Sequence, residues 1–450
     1  MVCGINMSGL IQSQMDGMMM EIKKTLIAAA ITISIFSAPQ VLALDFHGYV
    51  RSGISSSTNG DQQVWAAGKL GRLGNETDGD WIVMLSQELY KDDQGHSFSV
   101  YSKFEGDPAL KKETEWDGNW GMDDFYITAK GYMAFDPGST IWVGKRGFGS
   151  REIQMLDYKI LRTSGNGAGI EDVSLGKGYL AASVIRQDAD IYDADTTDTT
   201  TISSSNDYNV NMFDIRYGKL PISSNSQLEL VGDYFIANKT DAQDVLEDED
   251  YVYAADNSAR MTGIITTKLD TGSNQFSLQA ANKNLAGNYA NVRGRPSLYL
   301  TNADNQDAYG WRITNAGEFM LSQNVIFEHA IAYAEAYKTA AVSDVYYDSA
   351  KSFNIVGRPA YIWSKNHKTA LELGWYTQTN KLAGESYQES GKKVTLAHIL
   401  SPGISMMNVR PEIRFYTSYL KVDKNEIDQF LFNDSKNHQI SFGVQAEAWW

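Results

Sequence analysis

The C-terminal segment, from His438 to Trp450, constrains the fold more than any other part of the chain because it alternates strictly. Side chains point to opposite faces along a β-strand, so one face of this segment is apolar to its last residue. The apolar face consists of Ile440, Phe442, Val444, Ala446, Ala448 and Trp450, and the other face of Gln439, Ser441, Gln445, Glu447 and Trp449. An aromatic residue at the end of such a strand is typical of membrane barrels, which carry aromatic girdles at both edges of the lipid-facing band. The segment therefore predicts a β-barrel that spans a membrane and encloses a polar interior.

The N-terminal region has the pattern of an export signal. Two lysines precede an apolar run over residues 26–36, and residues 41–43, Val-Leu-Ala, place small or apolar side chains at a cleavage site. We predict that residues 1–43 are a secretory signal peptide with an over-extended N-terminus, that synthesis starts at Met20, and that residues 44–450 form the barrel. The alternative, a helical membrane anchor, would need roughly 20 apolar residues, and this run is shorter.

Composition limits the partners and the chemistry of the chain. With 55 acidic and 39 basic residues, it lacks the positive charge that binding to a nucleic-acid backbone needs. Its single cysteine, Cys3, lies before the predicted cleavage site, so the mature chain has neither disulfides nor thiolate metal sites. The six histidines show no metal-ligand spacing, and no catalytic motif is present. We therefore predict no enzymatic activity, no cofactor, no metal site and no nucleic-acid partner.

Segments of about ten residues with alternating apolar and polar positions recur along the mature chain, as expected for tilted barrel strands. From Val409 to Tyr419 all charged side chains fall on one face, and residues 81–89 and 228–236 show the same division. About eighteen such strands are present, with an uncertainty of about two. We predict an all-β fold, a transmembrane antiparallel β-barrel of about 18 strands, wide enough to leave an aqueous channel.

Long polar stretches separate some strands, whereas other connections are short, as in barrels with external loops and periplasmic turns. The long stretches are Asp188–Asn206, Lys239–Ser258, Asn284–Gln306, Lys338–Lys351 and Lys421–Asn437. Two of them carry runs of carboxylates, at residues 188–195 and 247–250, which offer oxygen ligands for Ca²⁺. Neither run has the spacing of an EF-hand, and acidic loops screened by solvent ions are the simpler interpretation.

Six short blocks of sequence resemble the maltoporin family of outer-membrane sugar porins. They are LDFHGYVRSG at 44–53, RLGNE at 72–76, PGSTIWVGKR at 137–146, SGNGAG at 164–169, RPEIRFYTSY at 410–419 and the terminal FGVQAEAWW. The blocks occur in family order and bracket the mature chain. The resemblance implies a homotrimeric porin of about 18 strands in the lipid of the outer membrane. It also implies that sugars or oligosaccharides slide along aromatic residues while charged residues exchange hydrogen bonds with their hydroxyls.

Strand parity and the resemblance together select the aromatic contacts. Tyr49 shares the polar face of the first predicted strand with Arg51, and Trp449 lies on the polar face of the last strand. Both match positions of the family's aromatic slide, so the resemblance implies that they line the channel; a place in the girdle at the bilayer edge is the alternative. By the same resemblance, a loop donates a tryptophan to the neighbouring subunit, for which Trp116 is the better candidate and Trp120 the lesser. Trp450 faces the other way, and the resemblance implies that the assembly machinery reads it.

Other slide positions depart from the family pattern. The aromatic position on the second strand falls on Asp80, and two further ones fall on Ser273 and Asn408. A long linear glucan favours an unbroken apolar path, so these polar residues make a shorter or more charged sugar the better fit.

Charged residues assigned to the polar track are partly retained and partly rewritten. By the resemblance, residues 145–169 form a loop that folds inward and narrows the channel. The track and constriction comprise Arg51, Arg72, Asp80, Asp123, Arg151, Glu152, Asp157, Lys159 and Asn408. Asp123 and Lys159 stand where the family has an arginine and a tyrosine. Charged groups suit hydrogen bonding to hydroxyls, and the alternative is a solvated external loop.

Three function classes are consistent with these patterns. The first is an outer-membrane channel for the facilitated diffusion of sugars. The second is a general diffusion porin, which admits ions and small hydrophilic solutes by size and charge and needs no aromatic path. The third is a secreted glycan-binding or glycan-active β protein, in which paired carboxylates would act as acid and base. Uninterrupted apolar faces on successive strands favour the first two classes.

Overall fold

The structure is a computed structural model that describes residues 44–77, 79–107, 119–187, 208–248, 255–290, 292, 305–340 and 346–450. The predicted signal peptide 1–43, the slide candidate Trp116 and the acidic residues 188–195 and 249–250 lie outside these ranges. Among the described residues, no helix combines the length and the apolar character needed to cross a bilayer.

Eighteen strands form one sheet. The first nine are β1 Asp45–Ser57, β2 Asp80–Lys91, β3 Ser97–Asp107, β4 Asn119–Lys130, β5 Thr140–Ile153, β6 Tyr158–Leu175, β7 Gly178–Arg186, β8 Asn209–Pro221 and β9 Ser226–Asn238. The others are β10 Ser258–Leu269, β11 Gly272–Asn282, β12 Tyr309–Ser322, β13 Val325–Ala340, β14 Tyr346–Ser364, β15 His367–Leu382, β16 Glu385–Leu400, β17 Glu412–Asn425 and β18 His438–Trp449. Two short helices, α1 (Ala67–Leu70) and α2 (Asp241–Asp248), follow β1 and β9.

The sheet closes on itself. Each strand pairs antiparallel with its neighbour in sequence, and β1 also pairs with β18, from Tyr49 opposite Trp449 to Ser57 opposite Ser441. Closure joins the two outer strands of the sheet to each other, which is the condition for a sheet to stand in lipid. The predicted antiparallel barrel is therefore confirmed, with eighteen strands as expected.

The two ends of the barrel differ. One end, called the turn end, holds Asp45, Trp450 and the connections 92–96, 131–139, 176–177, 222–225, 270–271, 323–324, 365–366 and 401–411. The opposite end, called the loop end, holds longer connections such as 58–79 and 426–437. Most short connections thus lie at the turn end and most long ones at the loop end; the connections 401–411 and 383–384 are the reverse.

Strand register separates the inner face of the barrel from the outer face, because directly paired residues point to the same side of a sheet. On β15 and β16 the outward residues Leu373, Val394 and Leu396 are exposed, whereas the inward residues Glu372 and Lys393 are buried. Large apolar side chains exposed on one strand after another suit contact with lipid and not with water. The charged face is therefore the inside of the barrel.

The β5–β6 hairpin leaves the wall and enters the barrel. Between Arg146 and Gly165 its strands pair with each other, whereas pairing with β4 stops at Lys145 and pairing with β7 begins at Asn166. Gly144 and Gly165 have φ of +137° and +153°, a conformation that side-chain-bearing residues rarely adopt, at the points where the hairpin departs. We call residues 146–165 the inward hairpin; they match the inward loop that was predicted for residues 145–169.

Burial of apolar side chains holds the inward hairpin in place. Met155, Leu156 and Ile160 at its tip are almost fully buried, and they form one cluster with Val231, Ile264, Ala330 and Val356 of the barrel wall. Each such side chain contributes about 1.5–3 kcal/mol when fully buried. The hydrophobic core of this protein thus lies inside the barrel, between the hairpin and β9–β14.

The connection between β1 and β2 also folds into the barrel. Its helix α1 places Leu70, which is fully buried, beside Tyr376 of β15 and Leu420 of β17. Polar side chains of the wall bind its backbone: Asn354 donates to the Lys69 carbonyl at 2.8 Å, and Lys393 donates to the Leu73 carbonyl at 2.8 Å. A third inward piece, the 3-10 helix Lys283–Tyr289, packs on β10–β13.

These three pieces cover one side of the lumen and leave the other side open. We call the inner faces of β12–β17 the packed wall and the inner faces of β1–β4 the open wall. Packed-wall residues such as Asn354, Glu372 and Thr395 are fully buried, whereas the open-wall residues Tyr49 and Met84 remain partly exposed. The aqueous path therefore runs along the open wall.

Candidate functional site

Two aromatic side chains stand next to each other on the lumen side of the barrel closure. Tyr49 of β1 and Trp449 of β18 are directly paired in register, and both are half-buried. The Tyr49 hydroxyl donates to Glu447 Oε1 at 2.8 Å, and the Arg410 guanidinium lies 4.3 Å from the centre of the Trp449 ring. Both rings are thus held by polar neighbours while part of each faces the lumen.

A network of buried charges supports this pair. Arg72, from the connection after β1, donates to Glu76 at 2.6 Å and to Glu447 at 3.1 Å, and Arg51 lies 3.4 Å from Glu76. Burial alone would lower the pKa of the Arg72 guanidinium, but the carboxylates of Glu76 and Glu447 raise it well above its usual range. Arg51 and Arg72 both carry a positive charge. Each donates a hydrogen bond to the Tyr49 hydroxyl at 3.3 Å, and together they hold this ring in place.

Glu447 is a central residue that the sequence analysis did not select. Its carboxylate contacts Tyr49, Arg72, Arg410 and Arg414, and its side chain has no exposed area. A carboxylate surrounded by cations and hydroxyl donors is fully satisfied, so it acts on solutes only through the groups that it positions. Its place on the same face as Trp449 was visible in the sequence, but its partners come from distant segments.

The tip of the inward hairpin carries charges without partners. Glu152 and Asp157 are exposed and Lys159 is half-buried, and none of them has a hydrogen bond to another described side chain. Asp157 takes a left-handed conformation, with φ of +47°, directly after the tip turn. The carboxylate of Asp157 lies close enough to the carboxylates of Glu152 and Asp80 for electrostatic repulsion with both. The hairpin thus presents three free charged groups toward the open wall.

Asp80 and Asp123 lie on the open wall but differ in pairing. Asp80 is opposite Arg51 in register and is half-buried, without a hydrogen bond among the described side chains. Asp123 accepts from Lys103 at 2.7 Å and from Arg162 of the inward hairpin at 2.9 Å. Asp123 stands where the family has an arginine, and Lys103 and Arg162 supply positive charge beside it. Lys103 could not be selected from the sequence, because the register that brings it next to Asp123 is not visible there.

Two predicted constriction residues are placed elsewhere. Arg151 points away from the constriction, because neighbours in a strand face opposite sides, and it forms a bidentate pair with Glu229 of β9 at 2.9 Å. Asn408 lies in the 401–411 connection at the turn end, where its backbone N–H donates to Ser405 Oγ. Neither side chain therefore shares the position of Glu152 and Asp157, and the assignment of both residues to the polar track stays a prediction.

The 401–411 connection is bound to the packed wall. The buried ammonium of Lys368 donates to Ser401 and to the carbonyls of Gly403, Ile404 and Ser405, all at 3.1–3.3 Å. Glu318 accepts from Ser405 and from the backbone N–H groups of Met406 and Met407. These bonds hold the connection against the inside of the turn end.

Trp450 lies on the outer face at the turn end. Its ring centre is 5.5 Å from that of Phe46, and its backbone exchanges two 3.2 Å hydrogen bonds with Gly48. A side chain at Gly48 would overlap the Trp450 indole, so this glycine gives the terminal ring its place. Trp449 and Trp450 thus belong to opposite faces, as their parity predicts.

Within the described ranges, no three or more His, Cys, Asp or Glu residues are arranged so that they could hold a metal ion.

The family model of LamB porins matches residues 44–450, which is the whole of the predicted mature chain. The chain belongs to the LamB porin family. The resemblance inferred from the six sequence blocks is thereby confirmed, and with it a channel-forming porin located in the outer membrane.

Several solved structures have a similar course of the chain. Acinetobacter baumannii OccAB1 has 9% sequence identity and a TM-score of 0.49, with 90% of this chain and 96% of that chain covered. Pseudomonas aeruginosa OccD3 has 9% identity and a TM-score of 0.47, with 91% of each chain covered. The outer membrane channel DcaP of A. baumannii has 12% identity and a TM-score of 0.42, with 92% and 99% covered.

Proposed function

We propose that this LamB-family porin conducts sugars through the outer membrane by facilitated diffusion, as a non-enzymatic channel. The observation that supports the proposal most directly is the pair Tyr49 and Trp449 on the lumen face, opposite the unpartnered charges of Glu152, Asp157 and Lys159. A sugar ring has apolar C–H faces and a rim of hydroxyls. Aromatic rings can contact the faces while charged groups exchange hydrogen bonds with the rim.

Facilitated diffusion requires contacts that are individually weak. Binding must be favourable enough to draw the solute in and weak enough, over several sites, to release it. Tyr49 and Trp449 are half-buried and held by Glu447 and Arg410, so they offer a fixed partial surface and not a closed pocket. Such a surface lets a ring pass from one contact to the next without reorganising the wall.

The proposal is tested by sugar block of ion current in planar bilayers. Sucrose, maltotriose and glucosamine are each titrated into a bilayer that contains the purified channel. The expected result is a reversible, saturating fall in conductance with a definite half-block concentration for at least one sugar. Conductance that stays unchanged with all three would instead support a general diffusion porin, whose lumen needs no aromatic contact.

A single substitution connects the block to the site. Trp449→Ala removes the indole from the lumen face and should raise the half-block concentration about fivefold, since an aromatic contact is worth about 1 kcal/mol. Tyr179→Ala, near the turn end of β7 and away from the Tyr49–Trp449 pair, serves as the control. Equal block in native and Trp449→Ala channels would remove the indole from the proposed path.

We further propose that residues 1–43 are cleaved on export and that the barrel works as a homotrimer. Both proposals rest on the family and the sequence pattern of the N-terminus. N-terminal sequencing of protein from outer membranes should start at Leu44, and unheated gel samples should run as trimers.

Replacing Trp450, which packs on Phe46, by alanine should lower the yield of inserted trimer without changing the block of the channels that do form.

A further inference from the structure

An apolar strip crosses the open wall. Register places Ile82 of β2 directly beside Tyr49, on the side away from Trp449. Met84 follows two residues later on the same face of β2. On the next strand, Tyr101 is opposite Ser86 and therefore diagonal to Met84, and Tyr101 is in turn opposite Tyr126 of β4. The strip thus consists of Trp449, Tyr49, Ile82, Met84, Tyr101 and Tyr126.

Every member of the strip is accessible from the lumen. Met84 is 38% exposed even though it points inward, and the other five side chains are half-buried. Apolar side chains on the inner face of a water-filled barrel gain nothing from lipid. Of the six, only Tyr126 packs against a buried hydrophobic cluster of the described residues, which consists of Trp142, Phe148 and Ile185, so packing does not explain the rest of the strip. Their continuity from β18 to β4 indicates a contact surface for something that passes.

The two tyrosines are fixed by their neighbours. The rings of Tyr101 and Tyr126 are parallel within 7° with centres 4.9 Å apart, and the Arg146 guanidinium lies 4.7 Å from the centre of the Tyr126 ring on β4. Arg146 is itself held by a bidentate pair with Glu171 at 3.0 and 3.2 Å. Tyr126 is thereby stacked with two partners, whereas Tyr101 has Tyr126 as its only ring contact among the described residues.

Charged groups run beside the strip as they do beside Tyr49. Lys103, two residues from Tyr101 on the same face, bridges Glu105 at 2.9 Å and Asp123 at 2.7 Å. Directly paired side chains lie about 5 Å apart and diagonal ones about 7–8 Å apart, so successive members of the strip are neighbours on the wall. Apolar contacts and charged hydrogen-bonding groups therefore lie side by side along the strip.

We propose that the sugar path continues from Tyr49 through Ile82 and Met84 to the Tyr101–Tyr126 pair, which forms a second aromatic contact for short oligosaccharides. This inference rests on the proposed function. It gives the route of the solute in a channel that has Asp80, and not an aromatic residue, at the family's slide position on β2. The path turns sideways along the wall because the apolar residues do so. A solute of one to three rings can follow such a turn more readily than a stiff chain.

The test measures half-block by maltotriose, sucrose and glucosamine in matched variants of the strip. Tyr101→Ala removes the second ring and should raise the half-block concentration of the best blocker about fivefold. Its controls are Tyr101→Phe, which keeps the ring, and Val100→Ala, which changes the outward residue next to it on β3. Both controls should stay within about twofold of the native channel.

A second pair of variants tests the link between the two aromatic contacts. Met84→Gln keeps the size of the side chain and makes it polar, whereas Met84→Leu keeps it apolar. Only Met84→Gln should weaken block, by about two- to threefold. Open-channel conductance without sugar and trimer yield should match the native protein in all variants, which shows that the barrel has folded.

The outcomes separate this path from the proposed function. Native block that Trp449→Ala weakens but Tyr101→Ala and Met84→Gln leave unchanged would overturn the path and keep the sugar channel. Absence of block by all three sugars in the native channel would overturn both. Weakening by Tyr101→Ala and Tyr101→Phe alike would mean that the hydroxyl carries the contact, and the aromatic path would then be wrong.

Discussion

The packed wall and the open wall of this barrel are built from the same alternation, but they differ in what meets their inner faces. On the packed wall, Glu372 accepts from Lys393 at 2.5 Å and from Arg358 at 2.7 Å, and all three side chains are buried. On the open wall, Asp80 has no hydrogen bond among the described side chains. Water reaches Asp80 on the open wall, whereas the packed wall must provide a partner for each charge that it buries.

The difference shows how one barrel supplies both a core and a channel. The inward segments need apolar contacts and donors for their backbone carbonyls, and the packed wall offers Val356, Ala330 and the Lys393 ammonium. The open wall keeps side chains that are free to meet a solute. Position around the barrel, and not residue type alone, therefore decides whether a charged residue stabilises the fold or contacts the solute.

The largest effect is expected from breaking a buried charge pair on the packed wall. Glu372→Gln leaves Lys393 buried without its carboxylate and should lower the free energy of unfolding by about 3–5 kcal/mol. Asp80→Asn makes the same chemical change on the open wall and should shift it by no more than about 0.5 kcal/mol. Urea titration in detergent, followed by gel mobility, compares the two. Equal losses would show that the two walls do not differ in this way.

A smaller effect is expected from displacing α1 without changing any charge. A side chain at Gly374 would overlap the Leu70 carbonyl oxygen, so Gly374→Ala should cost about 1–3 kcal/mol and loosen the inward segment. Gly263→Ala is the control, because the nearest atom to its new carbon is 3.7 Å away. Single-channel recording should show larger or noisier currents in Gly374→Ala alone. Quiet, native-size currents would mean that the lumen is not bounded by α1.

A change confined to the open wall should alter ion preference and not stability. Among the described residues at the constriction, three carboxylates without a hydrogen-bond partner, Asp80, Glu152 and Asp157, outnumber the single such ammonium, Lys159, so K⁺ should be favoured over Cl⁻. Asp157→Asn should lower the permeability ratio by about two- to fivefold, since a nearby unit charge in water is worth about 1 kcal/mol. Reversal potentials in a KCl gradient measure this, with Asp92→Asn in the β2–β3 turn as control. The effect should shrink at high salt.

The smallest effect is expected behind the inward hairpin. Arg151 pairs with Glu229, but its side chain is 40% exposed, so Arg151→Gln should change the unfolding free energy by at most about 1 kcal/mol. Half-block by sugars should equal that of the native channel, because Arg151 points away from Glu152 and Asp157. A change in the half-block concentration would show that Arg151 contacts the sugar, and that both sides of the inward hairpin face the solute path.

Much of the architecture was predictable because it depends on local alternation. The inward placement of Tyr49, Arg51 and Trp449, the outward placement of Trp450 and the inward hairpin all follow from strand parity or from short matching blocks. The surroundings of Arg151 and Asn408 could not be predicted, for two reasons. A register shift lies between Arg151 and Glu152, and a shift of one residue reverses the face of a strand. The path of a connection such as 401–411 is set by distant partners such as Lys368 and Glu318.

The amino-acid order by itself determined the class of fold, the two faces of each strand and the membership of a channel family, since each is written in neighbouring residues. The tertiary structure alone decided which side of the lumen is filled, that Glu447 gathers cations from three separate segments, and that Ile82, Met84, Tyr101 and Tyr126 line up beside Tyr49. The physical reason is that alternation is a property of one strand, whereas register and burial depend on segments far apart in sequence that meet only when the barrel closes.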